Sequence, residues 1–150
     1  MIFKIFYQKS GSSKQRTFVF LFSLALGLTF IDQAAKYFAA VHGFIFRNYL
    51  FAFSLPVPSV LMYLFYLVAL AVLFWYVMVN LKKFSRPILL GWWLIVVGAS
   101  INVGERLILG YVRDFIYIYG GGVLNVADLY IIVGIVYLLI YELYSRRKTT

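Results

Sequence analysis

Two aspartates, Asp114 and Asp128, stand fourteen positions apart in the stretch GYVRDFIYIYGGGVLNVADLYIIVG, residues 110–134. Aromatic residues and the run Gly120-Gly121-Gly122 lie between them. Singly, each acid has an ordinary reading. Asp114 fits a solvated loop acid. Asp128, three positions after Asn125, fits the first turn of a helix, where the dipole favours negative charge. Together they permit chemistry. Two carboxylates sharing a site cannot both ionise easily, so one pKa rises and one proton is shared. Such a pair can take a proton from water while giving one to a leaving amine, the acid–base work of peptide hydrolysis. A proton relay in a small transporter or channel is the alternative that the same carboxylates allow, and a non-catalytic scaffold is a third. The chain has no cysteine and a single histidine, His42. Disulfides, thiol nucleophiles, thiolate metal sites and His-rich metal centres are therefore excluded, and catalysis falls to carboxylates, amides, Lys or Arg. No metal or organic cofactor is implied.

The elements that must position these acids belong in a membrane. Of 150 residues, 64% are hydrophobic and 13% charged, with a mean hydropathy of +0.91; soluble domains carry about 25% charged residues. Four apolar runs, at about 17–40, 59–80, 87–106 and 126–144, approach the roughly 20 residues that cross a bilayer. Ser85 and Pro87 suit the start of the third. The first follows a basic amino terminus, as in a signal peptide, but carries Asp32, Gln33 and Lys36 near its end and is read as a retained helix. Ten of the fourteen Lys and Arg precede the first run, join the second to the third, or follow the fourth, which assigns that side to the cytoplasm. The net charge of +9 is thus a topology signal, with no nucleic-acid partner required. The expected fold is all-α integral membrane, one membrane domain over residues 1–150. It has four transmembrane helices, both termini cytoplasmic, and a small extracytoplasmic β platform and loop.

Depth places further charges near the same level. Asp32 lies 16 residues past Arg16, Glu105 lies 19 past Arg86, and Asp128 lies 18 before Arg146. At about 1.5 Å per residue these separations are roughly 24, 28 and 27 Å. Three acids on three helices converge near the outer face, accompanied by Lys36 and Arg106. Ionisable groups at that depth are costly unless paired or facing a wet cavity, so they mark either a functional site or a belt of interfacial ion pairs. Residues 41–58 are aromatic and apolar with partial strand character, suited to a platform on the membrane. The glycine run between the two aspartates reads as a connector or hinge, with 111–124 expected to close over a bound substrate.

Five motifs in order resemble those of the bacterial lipoprotein signal peptidases (signal peptidase II). FIDQAAKYF is similar to a first-helix D-Q-x-x-K motif, and RNYLFAFS to N-x-G-x-[AS]-F-S. GASINVGERLILGYVRDFI resembles G-x-x-x-N-x-x-D-R followed by G-x-V-x-D-F, and LNVADLYIIVG resembles F-N-x-A-D-x-x-I-x-x-G. The resemblance implies catalytic aspartates at Asp114 and Asp128, with Asn48, Asn102, Arg106 and Asn125 lining the site and orienting substrate. Asp32, Lys36 and Glu105 would support it. It also implies a bacterial inner-membrane enzyme acting at the extracytoplasmic face; a monomer is expected. Its substrates would be diacylglyceryl-modified prolipoproteins, cut before the lipidated cysteine, and its other partners membrane lipids. The chain departs from the family pattern with Glu105 for Asp, Leu50 for Gly, Leu124 for Phe, and a short stretch between the aspartates, as in a divergent member.

Overall fold

The computed structural model describes residues 2–49 and 59–147. Four helices, α1 (Ile2–Val41), α2 (Ser59–Asn80), α3 (Arg86–Leu109) and α4 (Val126–Arg147), carry the chain. Each holds a stretch long and apolar enough to cross a membrane: Gln15–Val41, Val60–Asn80, Arg86–Leu109 and Val126–Ser145. These agree closely with the runs read from the sequence, because hydrocarbon thickness sets the length of an apolar helix.

Local chemistry explains where the helices stop. α1 ends at Gly43, whose φ of 73° is left-handed. Gly43 N–H donates to Ala40 O at 3.2 Å and Phe44 N–H to Ala39 O at 2.9 Å, satisfying terminal carbonyls in a Schellman motif. α3 opens after Ser85 with Pro87 in its first turn and closes at Gly110, again left-handed, whose N–H reaches Arg106 O at 3.0 Å. α4 opens with a reciprocal cap. Asp128 N–H donates to Asn125 Oδ1 at 2.9 Å while Asn125 N–H donates to Asp128 Oδ2 at 3.1 Å.

α3 is the central helix, and it packs most extensively on α4. Leu21, Val77, Leu89, Trp93, Val96, Val97, Ile101 and Ala127 form the core. Trp93 Nε1–H donates to Leu21 O at 2.9 Å, tying α3 to α1. Large apolar side chains on α1, α2 and α4 are mostly exposed, as lipid-facing surfaces are. The α3–α4 contact depends on glycine. A Cβ at Gly134 would sit 2.7 Å from Gly91 O, and one at Gly98 would sit 2.8 Å from Ile131 Cγ1 and closer still to Ala127 O. Small residues at such seams let backbones approach, which matters where lipid supplies no hydrophobic drive for helix association.

Where α1 and α3 end and α4 begins, four short strands gather: β1 (Phe46–Asn48), β2 (Val112–Asp114), β3 (Ile116–Ile118) and β4 (Gly122–Leu124). β1 pairs antiparallel with β2, setting Phe46 opposite Asp114 and Asn48 opposite Val112. β3 pairs antiparallel with β4 in a hairpin. The strand expected from the 41–58 segment is therefore present at Phe46–Asn48, and residues 50–58, with Leu50, lie outside the described residues. The glycine run forms a turn: Gly120 and Gly121 have φ of 104° and 108°, and Gly122 already belongs to β4.

Candidate active site

All nine residues singled out from the sequence lie at the strand end of the bundle. Asp114 is the last residue of β2, and its strand partner across the ladder brings Asn48 within reach: Asn48 Nδ2 donates to Asp114 Oδ2 at 2.9 Å. Asn125, the cap of α4, donates from Nδ2 to Asp114 Oδ1 at 2.7 Å and to Asn102 Oδ1 at 3.1 Å. Asn102, on α3, donates in turn to Asp128 Oδ1 at 2.7 Å. Two asparagines thus link the two aspartates in one chain of hydrogen bonds running from β2 through the α4 cap and α3 back to the first turn of α4. Asp114 and Asn125 are 1% and 0% exposed, so these partners replace water. Burial pushes the Asp114 carboxyl above its ordinary value of 3.8; its two asparagine donors oppose this, and the charge of Asp128 reinforces it.

A second network lies beside the first. Lys36 is completely buried between Asp32, at 2.8 Å, and Glu105, at 3.1 Å. The other oxygen of Asp32 accepts from Ala127 N–H at 2.9 Å, so α1 fixes the first turn of α4 immediately before Asp128. Glu105 accepts from the Arg113 backbone N–H at 3.0 Å and pairs with its guanidinium at 2.6 Å. Gln33 bridges Asp32, Glu105 and Arg113. Two acids and two bases balance, which is the condition for keeping charges out of water. Asp32, Lys36 and Glu105 thus pair inside the bundle, while Asp128 connects to Asp114 through Asn102 and Asn125.

Arg106 completes the set. Its guanidinium lies 4.9 Å over the Tyr66 ring, and its carbonyl accepts from Tyr63 O–H at 3.2 Å, so α2 holds it. Its Nε is buried with no hydrogen-bond partner among the described residues. Among the described residues no group of three His, Cys, Asp or Glu gathers as metal ligands do.

Sequence reasoning missed Arg113, Tyr63 and Tyr66. Charge counting held a clue to the first: with Arg106 stacked on Tyr66, Asp32 and Glu105 outnumber Lys36 and call for another cation. The single carboxylate of Glu105 reaches both Lys36 and Arg113.

Comparison with known proteins places the fold and the family. The family model described as signal peptidase (SPase) II matches residues 24–144. Two solved structures, each described as a bacterial membrane enzyme determined by the in meso method, share the fold. The 2.3 Å structure is 19% identical with a TM-score of 0.71, covering 87% of this chain and 91% of its own. The 1.9 Å structure is 21% identical with a TM-score of 0.67, covering 82% and 92%. A search of curated proteins finds no match. The family match takes in α2, α3, every strand, nearly all of α4 and the later part of α1, and with it every residue of both networks: this multi-pass membrane protein belongs to the signal peptidase II family.

Proposed function

We propose that the chain is an aspartic endopeptidase that removes signal peptides from diacylglyceryl-modified prolipoproteins, cutting just before the lipidated cysteine. The observation that carries this reading is the asparagine chain joining Asp114 to Asp128. It links the buried Asp114 to the half-buried Asp128 through two side-chain amides, and in this reading the two carboxyls share a proton. The ionised carboxylate takes a proton from a water as that water attacks the scissile carbonyl, and the protonated one delivers its proton to the leaving nitrogen. Asn48 and Asn125 hold Asp114, while Asn102 and the α4 cap hold Asp128. The unpartnered Nε of Arg106 donates to a substrate carbonyl. Asp32, Lys36 and Glu105 keep the start of α4 and β2 in place.

The positive-inside pattern supports cytoplasmic termini and a pocket at the extracytoplasmic face of the bacterial inner membrane. There a lipid-anchored substrate keeps its acyl chains in the bilayer while its backbone enters the polar pocket. The protein acts as one membrane domain, a monomer needing no cofactor. The test is incubation of the purified protein with a synthetic diacylglyceryl prolipoprotein and an unlipidated control, reading product mass. Cleavage before the lipidated cysteine of the first alone is expected, with Asp114→Asn and Asp128→Asn each reducing it by at least 10²-fold. Wild-type turnover by either variant removes the dyad assignment.

A further inference from the structure

The face of the β1–β2 ladder turned away from Asp114 carries charge that neither network absorbs. Successive residues of a strand point to opposite sides, so Asn48 and Asp114 share one face while Arg47 and Arg113 share the other. Arg47 and Arg113 are direct partners in the register, and such pairs hold their Cβ atoms about 4.5–5.5 Å apart. Like charges set so are destabilising unless compensated. Arg113 is partly compensated: its Nε and Nη2 donate to Glu105, and Nη2 also to Gln33. Its Nη1 has no hydrogen-bond partner among the described residues, and 24% of its side chain stays exposed. Arg47 is exposed, lies 5.3 Å over the Tyr111 ring and makes no ion pair among the described residues. The chain has no acid left for it. Of the five, Asp32, Glu105, Asp114 and Asp128 belong to the two networks, and Glu142 lies near the far end of α4.

Below Arg113 a groove of about 410 Å³ runs between α1 and α3. The two helices touch where Trp93 meets Leu21 and again where Gln33 Nε2 donates to Glu105 at 3.2 Å. Thr29, Ser100 and Gly104 line the groove between those contacts, and a Cβ at Gly104 would meet nothing within 4 Å. Gln33 and Arg113 line its strand end. From Ser100 to Ile108, both in its lining, is about 12 Å along α3. One leaflet contributes roughly 15 Å of a ~30 Å hydrocarbon layer. Polarity then identifies the occupant, since guanidinium groups at the head of an apolar groove suit a phosphate above an acyl chain. We infer that the groove holds an acyl chain of one net-anionic phospholipid from the leaflet at the strand end, its phosphate between Arg47 and Arg113 Nη1. A single phosphodiester charge balances Arg47. The Tyr49 and Tyr111 rings, 5.3 Å apart, stand at the same level, as tyrosines do at a membrane–water boundary. This lipid lies across the ladder from Asp114, so the inference does not depend on the enzymatic reading.

The experiment titrates the delipidated chain in detergent with phosphatidylglycerol, phosphatidylcholine or glycerol phosphate and counts bound molecules by native mass spectrometry. One phosphatidylglycerol per chain is expected, held about two- to fivefold more tightly than phosphatidylcholine, the range of an exposed ion pair. Arg47→Gln should erase that preference and leave phosphatidylcholine binding unchanged. Gly104→Leu, whose side chain enters the groove, should abolish the one-lipid species for both lipids. Glycerol phosphate at equal concentration should displace neither. A preference that survives Arg47→Gln, or a one-lipid species that survives Gly104→Leu, overturns the inference. Displacement by glycerol phosphate overturns it too and leaves an anion site without a groove. Displacement of phosphatidylglycerol by a diacylglyceryl peptide overturns it by giving the groove to substrate acyl chains.

Discussion

Replacing Gly98 with alanine adds one methyl group where α3 meets the first turns of α4. The new Cβ would stand 2.8 Å from Ile131 Cγ1 and closer still to the carbonyl of Ala127. Carbon atoms pack best at about 3.5–4.0 Å, so the start of α4 must withdraw by about 1 Å. The Ala127 carbonyl belongs to the backbone and cannot rotate aside. Asn102, one turn along α3, bonds Asp128 at 2.7 Å, and a withdrawal of that size stretches the bond past any useful length. A 1 Å misplacement of a reacting group costs about 10²-fold in rate. Stability should change much less, since overpacking costs about 1–3 kcal/mol while alanine gains roughly 1 kcal/mol over glycine within a helix. Gly104 is the control, because a Cβ there meets nothing within 4 Å. Turnover of a lipidated substrate and thermal unfolding in detergent, measured on Gly98→Ala and Gly104→Ala, separate the cases. The first should lose about 10²-fold in kcat while still folding, and the second should retain wild-type kcat. Wild-type kcat in Gly98→Ala refutes the claim that the α3–α4 seam sets the position of Asp128.

Two further outcomes follow from the charged groups. Lys36→Met removes the completely buried cation between Asp32 and Glu105, leaving carboxylates under-compensated. Breaking such a pair costs about 3–5 kcal/mol, and a melting temperature within 2 °C of wild type, where each kcal/mol is worth about 2–4 °C, excludes it. The second outcome concerns pH. The Asp114 carboxyl is raised above 3.8 in the folded chain, so its protonated form is favoured by folding. The stability from that shift is complete below 3.8 and is lost as pH rises through the folded value. On the proposed dyad mechanism activity needs one shared proton and should fall on the same alkaline limb. Asn48 holds the value down by its 2.9 Å bond to Asp114, so Asn48→Ala should move the alkaline limb of kcat to higher pH. A limb that stays put or moves lower contradicts this.

The spans were legible because one physical length governs them: each apolar run had to cross the same hydrocarbon layer, and Pro87 and Asn125 mark helix starts by local chemistry, whereas the left-handed stops at Gly43 and Gly110 show only in the backbone. The β3–β4 hairpin was not. Ile116-Tyr117-Ile118 and Gly122-Val123-Leu124 lack the apolar–polar alternation that marks a half-buried strand. Gly120 and Gly121 serve a tight turn, which needs positive φ, as readily as a flexible connector. Only the pairing decides between them, and pairing is a tertiary fact.

The same distinction separates the two polar networks. Asp114, Asp128 and the asparagines could be read from sequence because the residue types match a reaction, and motif order supplied their company. Glu105 could be placed by depth along α3, but its partner could not, because Arg113 reaches it through the reversal at Gly110 that turns α3 into β2. That reversal gives the departure from the family pattern a physical sense. One carboxylate holds Lys36 on one side and both the backbone and the side chain of Arg113 on the other, so Glu105 ties β2, and Asp114 at its end, to α1 and α3. Glu105→Asp keeps the charge but shortens the reach by one methylene, so a fall in kcat is expected with the fold retained, and wild-type kcat in this variant refutes the tie between Glu105 and the placement of Asp114.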